Sequence, residues 1–382
     1  MIPHLYVHVP FCPTICPYCD FHVLERKNGL VEAYLHQLEQ DASQLVAQHG
    51  ASALKTLYVG GGTPSFLRDA ELEQLAHIIQ KHFGWASLEA TLEVNPGTVN
   101  AARAQHWHDL GFTRVSVGVQ STQDAVLKFL GRTHNASQAL TALETLQSTG
   151  FAVSADLITA VPNQDLAKDI ATLGALGLDH ISCYTLTIEE GTPFYKQGVK
   201  VTEEAETLAL EIAEPMLAEF GLARYEVSNH AKKGFESKHN LAYWQNNFYY
   251  GLGAGAAGHY PHQSEQHVAS ESVQHVAMRR TNPFLHSWLE GNRGEQELIS
   301  RAEFITDALF NGLRLRQGLN IQELSSRAGL DAQIHFATAF AVCENKGWLE
   351  WDADTVRCTK AGWWVLNRVI SEFLVEFIPA KD

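Results

Sequence analysis

From the N-terminus to about residue 190, short β-rich runs alternate with stretches of helical period. The runs are LYVHVP (5–10), LKTLYVG (54–60), ATLEVNP (90–96), FTRVSVGVQ (112–120), FAVSADLITAVP (151–162) and HISCYTLTI (180–188). Between them lie amphipathic segments such as VEAYLHQLEQDASQLVAQHG and DAELEQLAHIIQKHFG, apolar on one face at helical spacing. Six β/α units in succession predict an α/β fold with a parallel sheet and right-handed crossovers. The polar clusters discussed below fall near the C-terminal ends of several successive strands, the face on which barrels build their sites. An open doubly wound sheet would gather its ligand at one switch point instead. The pattern therefore predicts a partial (β/α) barrel of six strands over residues 1–200.

Residues 201–295 are less regular and are expected to extend the barrel. A helix over 203–220 leads into RYEVSNHA, then an aromatic, glycine-rich stretch, then a long excursion over 259–276. From about 296 to 382 a small α+β domain is expected. Helical patterns over 301–315, 320–328 and 333–346 precede WLEWDADTVRCT, two short strands about a turn, and a last helix. That order suggests a winged-helix-like domain, but without the basic surface of a DNA-binding one.

Composition narrows the function. With 45% hydrophobic and 19% charged residues, the 382-residue chain can bury an ordinary globular core. Its net charge of −15 argues against nucleic acid, which needs clustered Lys and Arg, and against anionic lipid. No apolar run approaches a transmembrane length, and MIPHLYVHVPFC carries no visible signal peptide. The six cysteines are three in one motif and three scattered, Cys183, Cys343 and Cys358, which is no disulfide framework. A cytoplasmic protein is expected.

The motif is PFCPTICPYCDF, with Cys12, Cys16 and Cys19 spaced Cys-x3-Cys-x2-Cys. Three thiolates on one loop can hold three irons of a [4Fe–4S] cluster and leave the fourth iron open. Half a zinc site is the competing reading, but no second closely spaced pair completes it. A thioredoxin-like pair would leave Cys12 unexplained. Further polar residues stand at later strand ends: GGGTPS after the second run, Glu93 in TLEVNPG, Gln120 in SVGVQS, Arg132 in LGRTHN and Asp156 in SADLITAVP. Alternation places Glu93 inward with Thr91 and Asn95, and an inward carboxylate needs a partner. An Arg can pair a carboxylate bidentately. Gly253, Gly255 and Gly258 fit G-x-G-x-x-G formally. No apolar strand is evident before them and no helix after, so a dinucleotide site is not expected.

The cysteine motif resembles that of the radical S-adenosylmethionine (SAM) superfamily, in which SAM chelates the open iron and is cleaved to a deoxyadenosyl radical. The resemblance implies SAM contacts from Gly61, Gly62 and Thr63. Together with LYVHVPFC, the residues Glu93, Gln120, Arg132 and Asp156 match the branch of oxygen-independent coproporphyrinogen III oxidases and their relatives. There Tyr6 would stand near the cluster and Tyr18 against the adenine. The oxidases carry a further cysteine where this chain has Phe21, whereas the sister family of haem chaperones reads Cys-Asp-Phe, as does Cys19-Asp20-Phe21. The chaperones also have His-Asn-x-x-Tyr-Trp where HNLAYW stands here. In that family the motif is associated with haem, implying His239 as iron ligand with Tyr243 and Trp244 on the porphyrin; His230 and His259 are nearby alternatives. One departure is Ala160-Val161-Pro162, where the family usually has glycine before Leu-Pro. The resemblance spans nearly the whole chain. It implies a protein that binds a cluster, SAM and haem and passes haem to an apo-haemoprotein; the alternative is the oxidase reaction on coproporphyrinogen III.

Overall fold

The computed structural model describes residues 1–27, 29–262 and 274–375. All six apolar runs form strands: β1 (His4–Val9), β2 (Thr56–Gly61), β3 (Glu89–Val94), β4 (Arg114–Gln120), β5 (Ala152–Thr159) and β6 (His180–Thr185). They lie side by side in chain order and pair in parallel. Helices cover the outside, and their apolar stripes make the packing. The helix Leu30–His49 buries Val31, Tyr34, Leu35, Leu38, Ala42 and Leu45, spaced three and four residues apart as an inward face requires. The helix Asp69–Phe83 begins where Glu71 reaches back to the backbone N–H of Arg68, 2.8 Å away, satisfying one of the orphan donors of a helix start.

The sheet does not stop at six strands. Residues expected only to extend the barrel contribute β7 (Ala223–Arg224), β8 (Asn229–Ala231) and β9 (Tyr250–Leu252). The order is β9-β1-β2-β3-β4-β5-β6-β8-β7. β9 pairs in parallel with β1, while beyond β6 the strand β8 runs antiparallel to β6 and β7 antiparallel to β8. β9 also corrects one expectation: a strand, Tyr-Gly-Leu, does precede Gly253. It is three residues long, too short to show in a pattern. A strand rather than a helix follows the glycines, so no dinucleotide loop results.

A separate antiparallel sheet joins β10 (Ala257–Pro261), β11 (His275–Thr281) and β12 (Glu295–Ser300). The expected excursion over 259–276 thus begins and ends in strands, and its residues 263–273 lie outside the described residues. The chain then forms the small α+β domain: helices Arg301–Gly312, Ile321–Ala328 and Ala337–Asn345, the hairpin Leu349–Asp352 with Thr355–Cys358, and a closing helix from Leu366. It has a core of its own, running from Ala277 and Ile299 to Phe373, whereas the barrel core runs from Ile2 to Trp288. The domain docks beneath the barrel. Arg327 donates to the carbonyls of Gln245 and Asn246, at 2.9 and 2.5 Å, and Trp363 lies under both Arg224 and Arg316.

Candidate functional site

The C-terminal ends of the strands surround a cavity of about 510 Å³, within the range of small-molecule sites. Cys12, Cys16 and Cys19 line it, as do Tyr18, Gly61, Gly62, Thr63, Glu93, Gln120, Arg132 and Asp156. Eleven residues separated by up to 144 positions in sequence are therefore brought to one place. β1 leads directly into the cysteine loop. That loop is pinned to the next strand's end: the N–H of Gly62 donates to the Val9 carbonyl and that of Thr63 to the Phe11 carbonyl, both at 2.8 Å.

Packing gives the glycines a reason of its own. A Cβ on Gly62 would sit 2.9 Å from the Phe11 and Val9 carbonyl oxygens, and one on Gly61 would strike the His8 ring at 2.4 Å. Close packing of the cysteine loop already demands glycine here, whatever ligand the backbone faces. Gly118 is similar. A Cβ there would meet Gln120 and Arg132, and the open space lets Arg132 donate to the Gly118 carbonyl at 3.0 Å and to Cys16 Sγ at 3.4 Å. Thr63 Oγ1 lies 3.5 Å from Cys12 Sγ.

Two carboxyl groups face the cavity without a cationic hydrogen-bond partner. Glu93 accepts from Tyr58 Oη and from the Gly61 N–H, each at 2.8 Å. Burial raises its pKa to about 7, the two hydrogen bonds offset part of that, and Asp156 adds repulsion. Asp156 accepts from Ser116 Oγ at 2.9 Å, and burial raises it too. An ammonium or a pair of hydroxyls would find acceptors here. Burial also pushes Cys12 up to about 11 and raises Cys19. Burial thus favours the protonated thiols, and a cluster held there would have to displace those protons. Among the described residues, no three Cys, His, Asp or Glu side chains converge on a point that one ion could occupy. Cysteines that each ligate a different iron of a cluster need not converge.

Pattern reading missed Tyr58, Ser116 and Tyr184, which also line the cavity. A signal existed. Tyr58 shares the inward face of β2 with Gly60, two residues on, and Ser116 and Tyr184 occupy alternate inward positions on β4 and β6.

Four expected residues are not brought to the cavity. Tyr6 turns to His8, with Oη 2.8 Å from Nδ1, and so supports the loop from behind. His239, Tyr243 and Trp244 lie at the opposite end of the barrel, on the helix Lys238–Trp244. His239 is wholly buried. Its Nδ1 is 2.7 Å from Thr56 Oγ1 and its Nε2 is 2.8 Å from Tyr243 Oη, while the Thr56 hydroxyl is 2.8 Å from His4 Nδ1. Thr56 and His4 are the first residues of β2 and β1, so the imidazole bolts the barrel floor. With both nitrogens engaged, neither is open to a haem iron in this conformation. His230 and His259 are buried as well.

A partial parallel barrel with three cysteines on the loop after β1, and an acidic, glycine-bounded cavity above its strands, defines a radical SAM protein. The radical SAM superfamily model matches residues 6–174, and the HemN C-terminal domain model matches residues 299–365. The solved coproporphyrinogen III oxidase (HemN) from Escherichia coli superposes with a TM-score of 0.79 over 97% of this chain and 90% of that one, at 19% identity. They share a fold. More specific is the sequence likeness to curated heme chaperones HemW. The Bacillus subtilis protein is 32% identical over 97% of this chain and 99% of its own length. The Lactococcus lactis protein is 30% identical over 98% and 97%, and the Escherichia coli protein 31% identical over 97% and 98%. The chain belongs to the heme chaperone HemW family.

Proposed function

We propose that this protein is a haem chaperone built on a radical SAM barrel: it holds a [4Fe–4S] cluster, SAM and haem, and passes haem to an apo-haemoprotein. Family membership along the whole chain carries the chaperone reading, since the relatives bear that name over nearly their entire length. The cavity supports the two other cofactors by its own chemistry. Cys12, Cys16 and Cys19 would ligate three irons. Glu93 and Asp156 would accept from the amino group and ribose of SAM, with Tyr18 against the adenine and Gln120 at the rim. Arg132 would neutralise thiolate charge at Cys16. When bound, the cluster and SAM supply one-electron reduction of a sulfonium, as in the superfamily. Phe21, 66% exposed at the cavity mouth, stands where the oxidases carry another cysteine. That favours the chaperone over oxidative decarboxylation.

The setting we propose is the cytosol. No helix among the described residues is long and apolar enough to cross a membrane. The net charge of −15 speaks against nucleic acid as a partner.

The test is anaerobic reconstitution followed by haemin titration, with coproporphyrinogen III offered in parallel. A Soret shift that saturates, with no protoporphyrinogen above the blank, supports the chaperone. Vigorous decarboxylation without haem binding overturns it.

A further inference from the structure

The imidazoles singled out by sequence are closed to a large ligand, His230 and His259 being 2% and 5% exposed and His239 fully buried. His22, three residues beyond Cys19, is different. Its ring lies against Phe284, with centroids 3.9 Å apart and planes tilted by 37°. Its Nδ1 is buried without a partner and faces Gly255, where a Cβ would approach within 2.8 Å. Nε2 has no hydrogen-bond partner among the described residues and is not buried. Phe284 is 62% exposed and Phe21, next in sequence to His22, is 66% exposed. Burying one such ring is worth about 1.5–3 kcal/mol, so an apolar ligand that reached the open nitrogen of His22 would gain by covering Phe284 beside it.

We propose that His22 is an axial ligand to haem iron and that Phe21 and Phe284 contact the porphyrin, placing haem at the lip of the cofactor cavity. This rests on the haem-binding reading above. The ligand class follows from the groups present. No cluster of three donors suits a bare ion among the described residues. A haem, by contrast, needs one imidazole and a broad apolar surface. Phe284 packs against the imidazole ring and limits the orientations it can take. Gly255 leaves room for the ring to sit there.

The experiment is haemin titration of the anaerobically reconstituted full chain, as wild type, His22→Ala, His22→Gly, Phe284→Ala and His286→Ala. His22→Ala should weaken haemin binding about tenfold or more and change the Soret position, with the iron–sulfur spectrum unchanged. Free imidazole should restore the wild-type Soret band in His22→Gly, which a merely structural role would not produce. Phe284→Ala should bind several-fold more weakly, and His286→Ala like wild type. If wild type binds haemin and His22→Ala binds it equally, the ligand assignment is overturned while the chaperone reading stands. Loss in His286→Ala with His22→Ala intact overturns it too. If His22→Ala loses the cluster as well, the imidazole arm decides, and failure to rescue counts against His22. A wild type that binds no haemin overturns the reading beneath.

Discussion

Gln120 and Ala160 hold left-handed backbone without being glycine, at φ of 66° and 58°. For a residue with a Cβ that conformation costs about 1–2 kcal/mol. Ala160 stands where the resemblance implies glycine, and its backbone is left-handed despite the methyl. Ala160→Gly should therefore raise stability by up to about 1 kcal/mol, the relief being offset by chain entropy; thermal unfolding measures it, and a lower Tm would contradict strain at this turn. Gln120 ends β4 at the cavity, where strain would be tolerated for the SAM contact we propose. Gln120→Gly should fold at least as stably while binding SAM more weakly in calorimetric titration. Glu93 carries a pH signature. Its pKa in the fold, about 7, lies above the usual 4.5. Its contribution to stability is therefore full below about 4.5 and is lost as pH rises through 7. Against Glu93→Gln, the ligand-free protein should lose up to about 3 kcal/mol across that window. Urea unfolding at a series of pH values measures the difference, and parallel curves would refute it.

At the scale of elements, the helix Lys238–Trp244 shows how a short motif closes a barrel. Ser237 accepts the Asn240 N–H, and the Glu89 carboxylate accepts the N–H groups of Lys238 and His239 at 3.0 Å. A negative group at a helix start is well placed. Glu89 opens β3 as His4 and Thr56 open β1 and β2, so one helix is tied to three strands. The ring of His239 also lies 5.3 Å from that of Tyr58, whose hydroxyl orients Glu93 above. His239→Ala should leave Thr56 and Tyr243 without their partner and open a void, lowering stability by about 2–3 kcal/mol. Haemin affinity should remain near wild type. A loss of haemin binding with Tm unchanged would return His239 to the role of iron ligand.

For the whole molecule, the three motif cysteines share one cavity while Cys183, Cys343 and Cys358 are buried in apolar clusters. Reconstituted protein should hold about four irons. Replacing Cys12, Cys16 or Cys19 by Ala should abolish the iron–sulfur absorption, and replacing any of the other three should not. The small domain grips the segment just after the floor helix through Arg327, which couples its docking to the barrel's closure.

Much of this molecule was legible without a structure. Short apolar runs rich in Val, Ile and Leu, separated by amphipathic helices, determine six parallel strands, because strands buried on both faces read as near-continuous apolar runs. The cysteine spacing and the polar residues at strand ends determine the cofactor cavity, since a parallel barrel gathers its strand ends on one face. What a three-residue strand such as β9 would pair with was not legible, because its pairing energy comes from β1 and not from its own pattern. Nor was the end of the barrel at which HNLAYW would lie. A histidine beside two aromatics reads equally as an open ligand or as a sealed bolt, and the bolt shows only in its burial and in Thr56, 183 positions away in sequence. The same holds for His22, whose exposed Nε2 and stacked Phe284 come from segments 262 positions apart. Only the tertiary fold brings those together.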